Sequence, residues 1–344
     1  MRVAPDVLPA SRPWAGPPPI PRTAPDPPAV SVCIANWNCR DLLRRCLDSL
    51  FDQPQGATFE VIVADNASED GAAEMVADEF PQVTLVRNPD NLGFSRANNQ
   101  AAALARGRFL FFLNNDTELP AGCLGELVRF TADNPGVGMV GPRLLGADGQ
   151  PQISYRRKPT LAALLHRVSL LRWTGLFRKA YYRYRRDTFD PDGVRAVEAL
   201  MGAAVFLPRP AFEAAGRWDE GYRFGVEDLD LSTQVGRIGP VVYWGEIEVT
   251  HHGRASSRAN AGYVAGGVAA GYVRYLRRAG VSRAALLAYK AAVTVDAPVH
   301  LAGKVVQAAA RRLTGRREKA GKSWVAAKGL WHFLRRDLIH FWAA

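Results

Sequence analysis

Four apolar runs of strand length, at residues 30–35, 59–64, 83–86 and 109–113, alternate with three stretches of helical periodicity within the first third of the chain. In the first of these helices Asp41 is placed to cap a face of Leu42, Leu43, Cys46, Leu47 and Leu50; the second runs to Phe80, and Ser95 opens the third. Alternation of this kind predicts a parallel sheet joined by right-handed crossovers. Residues 109–113, all apolar, read as a strand buried on both faces. Each run stops at polar residues: Asn36 and Asn38, Asp65, Asn91, and Asn115 with Asp116. In a parallel sheet those ends share one edge, which is where open α/β sheets hold ligands. Asp116 is expected to hold a divalent cation there, and the cation a diphosphate. On these residues alone, a polar turn capping the next helix is the competing reading of residues 114–116.

No G-x-G-x-x-G follows the first run and no G-x-x-x-x-G-K-[ST] occurs, which argues against a dinucleotide dehydrogenase and a P-loop kinase. A cation on Asp116 would replace the missing backbone phosphate nest. Further along, residues 137–142 and 197–207 are expected as single strands, 210–215 as a short helix and 241–244 as a strand. A helix is expected to start at Glu227, with Glu227, Asp228 and Asp230 in its first turn. Glu227 and Asp228, close in sequence to Trp218, suggest a carboxylate pair beside an aromatic platform, suited to binding and deprotonating a sugar hydroxyl. His251 and His252 follow the last strand and offer imidazole nitrogens to a metal. The four cysteines show no metal-ligand spacing and read as reduced packing residues of a cytoplasmic protein.

Charge divides the chain. Residues 271–344 carry 15 Lys/Arg against three Asp/Glu, and residues 151–186 carry ten Lys/Arg and no acid, although the whole chain is only +11. Basic segments of this kind imply phosphate-rich partners. In residues 151–186, Thr160 is placed to cap a helix with Leu161, Leu164, Leu165, Val168 and Leu171 on one side, among basic and aromatic residues. Both basic segments therefore read as elements for an anionic membrane surface. No nucleic-acid module is recognisable, so nucleic acid is not expected as a partner. No apolar run is long enough to span a bilayer, and the N-terminus lacks a signal-peptide core. Residues 1–28, rich in proline, are expected as a disordered leader.

The stretches V-S-V-x-I-x-N-W-N, V-A-D-N-A-S-E-D-G, N-L-G-F-S-x-A-N-N, F-L-N-N-D-T, G-A-A-V-F-L, W-D-E-x-Y-x-F-G-V-E-D-L-D-L and H-H-G-x-A-S-S occur in that order between residues 30 and 257. Together they strongly resemble family 2 glycosyltransferases, nearest the rhamnosyltransferase-like branch. The resemblance implies an α/β GT-A fold, a Rossmann-like mixed sheet flanked by helices. It implies inversion at the anomeric carbon and a nucleotide-diphosphate sugar donor held with Mg²⁺ or Mn²⁺. It places Ala35, Asn36, Asn38, Asp65, Asn91, Gly93 and Arg96 in the donor site. Asn115 and Asp116 stand at the D-x-D-type position, leaving Asp116 as the carboxylate ligand. Asp228 falls on the catalytic base with Glu227 beside it, Trp218 and Glu227 on the acceptor side, and His251 on the metal. Arg254 replaces a usual glycine, so the register of His251 against His252 stays open.

The expected organisation is a glycosyltransferase domain over 29–260, with a donor half (29–145), a basic amphipathic insert (151–186) and a catalytic half (195–257), then a basic helical extension (261–344). The expected activity is sugar transfer, with rhamnose from dTDP-rhamnose as first choice, to a glycan or polyprenyl-diphosphate-linked acceptor, by a protein peripheral on the inner face of the plasma membrane. Transfer of another hexose is the alternative. A non-catalytic basic protein binding nucleic acid or membrane is the rival class.

Overall fold

A computed structural model describes residues 27–185, 189–253 and 261–344, with only the backbone described for 261–266. Most of the proline-rich leader, and the Ala-Ser-Ser that ends the last motif, lie outside the described residues. The chain forms two compact units: Met1–Arg156 with Thr188–Glu220 and Glu227–Ser256, and Arg157–Asp187 with Gly221–Val226 and Ser257–Ala344.

The first unit is built on a ten-stranded mixed sheet. Strands β1 (Val30–Asn36), β2 (Phe59–Asp65), β3 (Thr84–Arg87) and β4 (Phe109–Leu113) run parallel in the order β3-β2-β1-β4, as the alternation predicts. Helices α1 (Arg40–Phe51), α2 (Ala72–Glu79) and α3 (Phe94–Leu104) are the crossovers. β4 is buried throughout: Phe109, Phe111 and Leu113 enter one hydrophobic cluster, and Leu110 and Phe112 the other. A strand alternates its side chains, so only a run apolar at every position serves two cores. Each Phe so buried contributes roughly 1.5–3 kcal/mol of transfer free energy.

Beyond β4 the sheet changes character. β5 (Thr117–Glu118) ends it at the far edge, and β6 (Met139–Leu145) runs inside it, three residues further along than expected at its C-terminal end; α4 (Cys123–Asp133), β9 (Val194–Ala196) and α8 (Arg209–Ala214) belong to the same unit. The segment expected as one strand over 197–207 is two: β10 (Ala199–Leu200), paired with β8 (Tyr155–Arg156) in a small separate sheet, and β11 (Ala204–Pro208), antiparallel to β4. The break falls at Met201-Gly202-Ala203, where the Met201 and Gly202 N–H groups turn to the Ser154 carbonyl and the Asp228 carboxylate. β12 (Val241–His251) continues past its expected end at Trp244, because a register shift between Trp244 and Glu248 lets it keep pairing with β6. α1 is not capped by Asp41: it starts at Arg40, whose backbone N–H donates to Asp70 Oδ2 at 2.8 Å.

The second unit is helical. The helix expected from Thr160 is two short ones, α5 (Leu161–Leu165), with Thr160 Oγ1 accepting from the Ala163 N–H, and α6 (Ser169–Trp173). α7 (Arg178–Arg185) follows, then, from the C-terminal part of the chain, α10 (Ala261–Arg278), α11 (Arg283–Leu313), α12 (Arg317–His332) and α13 (Leu338–Ala343). The basic segment 157–187 groups with these C-terminal helices: the Ser169 N–H donates to Asp296 Oδ1 at 2.8 Å. No helix among the described residues is long and apolar enough to cross a membrane.

Candidate active site

The carboxyl ends of β1, β2 and β4 are tied together by polar side chains. Asn115 Nδ2 donates to Asn36 Oδ1 at 2.6 Å, and Asn36 Nδ2 donates to Asp65 Oδ1 at 2.8 Å. Asp65 also accepts from the Ser68 hydroxyl and backbone N–H. Asn38 takes a left-handed conformation, φ 49°, in which its own N–H reaches Ser68 Oγ and its Oδ1 receives the Glu69 N–H; asparagine tolerates that region better than most residues. All of Asn36, Asp65 and Asn115 are buried. The convergence expected of these strand ends is present, and Ala35 stands one residue before it on β1. Asn115 is committed to the network, which leaves Asp116 as the carboxylate of the pair.

Asp116 meets histidine through strand pairing. β5 and β12 run antiparallel, with His251 opposite Thr117, and the His252 N–H donates to the Asp116 carbonyl at 2.9 Å. Side chains alternate along β12, so the two histidines part. His251 Nε2 lies 3.4 Å from Asp116 Oδ1, whereas His252 Nε2 is 2.6 Å from Glu118 Oε1. Gln152, in β7 (Pro151–Gln152), orients the ring of His251. Its Nε2 donates to the His251 carbonyl at 2.8 Å, so its Oε1 is the atom 2.9 Å from His251 Nδ1. A carbonyl oxygen only accepts, so Nδ1 carries a proton, and in the neutral ring the Nε2 lone pair then faces Asp116. One carboxylate oxygen and one imidazole lone pair suit a single Mg²⁺ or Mn²⁺ whose other positions go to phosphate and water. Among the described residues no cluster of three or more His, Cys, Asp or Glu would hold such an ion by protein alone.

The second carboxylate pair heads α9 (Glu227–Val235). Asp228 Oδ1 accepts from Arg156 Nη2 at 2.5 Å and from the Leu229 N–H at 2.8 Å. Oδ2 receives only the Gly202 N–H, at 3.3 Å, among the described residues. A Cβ on Gly202 would sit 3.1 Å from the Asp228 Cβ, so the backbone approaches this carboxylate as closely as glycine allows. Glu227 differs. Its carboxyl is buried and its Oε2 has no partner among the described residues. Burial, then the adjacent Asp228 charge, push its pKa up to about 8. Glu227 is thereby favoured in its protonated form at neutral pH, beside an Asp228 side chain paired with Arg156. The residue before them, Val226, stands at φ 77°, costly for a β-branched side chain and a local strain at the head of the helix.

Antiparallel pairing of β11 with β4 brings the two halves together. Leu113 pairs with Ala204, and the Asn114 N–H donates to the Ala203 carbonyl at 2.8 Å. The strand end leading into Asp116 is thus bonded directly to the segment whose Gly202 contacts Asp228.

Other expected site residues are placed differently. Trp218 is 2% exposed, packed edge-on against Phe94 and Phe112 in the core, with Nε1 unpartnered among the described residues, so it offers no platform to an acceptor. Arg96 is ion-paired with Glu220 at 3.1 Å on the surface. Asn91 Oδ1 accepts the Gly93 N–H at 2.9 Å, shaping the turn into α3, where Gly93 has φ 85°. Gln152 and Arg156 were not anticipated. Both lie in two-residue strands with no periodic signal. The four cysteines are buried free thiols, and burial raises the pKa of Cys46 and of Cys123 to about 12.

Residues 31–195 match the family model described as Glycosyl transferase family 2. That segment belongs to glycosyltransferase family 2. The chain is 31% identical over 245 residues to the O-antigen biosynthesis protein RfbC of Myxococcus xanthus, covering 68% of this chain and 18% of that protein. It is 29% identical over 206 residues to an N-acetylglucosaminyl-diphospho-decaprenol L-rhamnosyltransferase of Mycobacterium tuberculosis (strain ATCC 25618 / H37Rv), covering 56% of this chain and 66% of that one. The match thus spans under two thirds of either relative's length. Among solved structures, the mannosyltransferase PcManGT from Pyrobaculum calidifontis in complex with GDP-Man and Mn²⁺ superposes with a TM-score of 0.51 at 20% identity, over 90% of each chain. GalNAc-T7 with UDP, GalNAc and Mn²⁺ gives 0.50 at 18% identity, over 65% of this chain and 43% of that one. At those identities the likeness is one of fold, and the fold is GT-A.

Proposed function

We propose that this family 2 protein is an inverting, metal-dependent glycosyltransferase that moves a sugar from a nucleotide-diphosphate donor to a hydroxyl of a lipid-linked or polysaccharide acceptor in cell-envelope glycan synthesis. The observation that carries the reading is the β4–β11 junction, which joins the Asp116 end of the sheet to the Gly202 N–H that contacts Asp228. Rhamnose from dTDP-rhamnose is the first choice, supported by the relative named an L-rhamnosyltransferase. Action at the inner face of the plasma membrane follows from a lipid-linked acceptor.

Asp228 Oδ2 is the oxygen suited to take the acceptor proton, because Oδ1 is held by Arg156 and the Leu229 N–H. As the acceptor oxygen forms its bond to the anomeric carbon, the bond to the phosphate oxygen breaks. The nucleoside diphosphate departs with the electron pair, and one such displacement inverts the centre. Asp116 and His251 would hold the divalent ion, which offsets charge developing on the departing diphosphate. Glu227, protonated, does not compete for the acceptor proton. The test is Asp228→Asn assayed with a panel of nucleotide sugars. It should keep donor affinity within about twofold and lose at least about a hundredfold in turnover. Turnover like that of the unmodified protein rejects the base assignment.

A further inference from the structure

Helix α11 is built the reverse of an ordinary surface helix. Its buried residues include Lys290, and its Asp296 and Gln307 are half-buried. These polar groups are satisfied inside the unit: Lys290 Nζ donates to the Trp342 carbonyl at 2.8 Å, Asp296 accepts from the Ser169 N–H, and Gln307 Oε1 receives the Ser323 hydroxyl at 3.2 Å. Every exposed position from 284 to 310 is apolar. Val295, Val299 and Val306 are 75%, 61% and 67% exposed, Leu313 at the end is 89% exposed, and Ala, Gly and Pro fill most of the spaces between. From Leu287 to Leu313 this stripe is about 39 Å long at 1.5 Å per residue. A contiguous apolar face of that size marks a binding surface.

Charge identifies the occupant. The helical unit carries 26 Lys/Arg against four Asp/Glu, a net of +22, and the sheet unit the remaining −11. A like surface at +22 repels a second copy, whereas an anionic bilayer attracts it by about 1 kcal/mol for each basic residue close to the head groups. Exposed Arg283 and Arg312 stand at the two ends of the helix. Near its C-terminal end a groove of about 810 Å³ between α11 and α12 is lined by Arg312, Arg317 and Trp324 among small apolar residues. Guanidinium groups beside an indole suit a phosphate head group at the membrane interface. Trp173, in the same unit, is 86% exposed.

We infer that this unit lies on an anionic lipid bilayer, with the outward stripe of α11 set among the acyl chains and the flanking arginines on the head groups. The inference deepens the reading of a lipid-linked acceptor by naming the surface that holds the protein beside it. The test is flotation of the full chain with phosphatidylglycerol-rich and with phosphatidylcholine vesicles, beside the double variant Val299→Asp, Val306→Asp. Both positions are exposed, so the fold should survive, as an unchanged melting profile would show. The unmodified protein should float with the anionic vesicles, and the double variant should lose roughly tenfold or more of that partitioning. Light scattering should find the unmodified chain monomeric. Flotation by the double variant at the original level, no flotation by the unmodified protein, or a dimer that the double variant dissolves would each overturn the inference. Transfer to a soluble acceptor reports separately on the enzymatic reading, because the two substitutions leave Asp116, His251 and Asp228 untouched.

Discussion

Glu227 offers a prediction whose size follows from the site. Its carboxyl ionises near pH 4.5 when unfolded and near 8 when folded, because burial and the neighbouring Asp228 disfavour its charge. The folded state therefore holds a proton that the unfolded state has already released between those values. Stability falls wherever the folded state binds more protons, so this group's contribution is complete below pH 4.5 and is lost as pH rises to 8. A difference of about 3.5 units at about 1.36 kcal/mol each sets a ceiling near 5 kcal/mol, and sharing of charge with Asp228 brings the expected loss to roughly 2–5 kcal/mol. Glu227→Gln keeps the shape and removes the titration. Denaturant unfolding from pH 5 to pH 9 should show the unmodified protein weakening relative to Glu227→Gln by that amount, with the difference levelling off above pH 8. Turnover at pH 7 should change little in the variant, since Asp228 and its contact with Arg156 are untouched. Parallel stability curves across that range would refute the assignment of a buried, protonated Glu227.

Two further outcomes concern the metal end of the site. Gln152→Leu removes the acceptor that keeps the proton on His251 Nδ1, and should weaken Mn²⁺-dependent donor binding by about ten- to a hundredfold in calorimetry, with an unchanged melting temperature; unaltered affinity would show that His251 needs no such support. Chelation should lower donor affinity by at least about tenfold and, reciprocally, Mn²⁺ should bind weakly until nucleotide is added, because in the proposed site Asp116 and His251 would supply only two ligands; tight Mn²⁺ binding without nucleotide would contradict a shell completed by phosphate.

The parts of this molecule legible from sequence are those whose signal is local. β4 announces itself because a strand with a core on each face needs an unbroken apolar run, and β1 to β3, predominantly apolar runs that each alternate with a helix, take their places beside it. Asp116 and His251 were legible for a similar reason, Asp116 in the polar turn that follows β4 and His251 at the end of β12. Partners chosen by pairing between distant short strands were not. Arg156 reaches Asp228 because β8 pairs with β10, and Gln152 reaches His251 because β7 pairs with β6; each of these strands spans two residues, too short for any period to show. The cap of α1 comes from Asp70, thirty residues beyond Arg40, while Asp41 has the right residue type in the wrong place.

Trp218 shows the converse error, in which nearness along the chain is taken for nearness at the site. It stands nine residues before Glu227, yet the turn between them lets its ring fill the core behind β4, against Phe112. A large aromatic ring buried there gains more than one left exposed beside two carboxyls, since an indole removes some 150–250 Å² from water. In the proposed reaction the acceptor meets Asp228 Oδ2, which among the described residues has only a 3.3 Å contact with the Gly202 N–H. What the glycine supplies is approach: a Cβ at 202 would sit 3.1 Å from the Asp228 Cβ, so the smallest residue in the G-A-A-V-F-L stretch lets the backbone N–H reach the side chain proposed as the base.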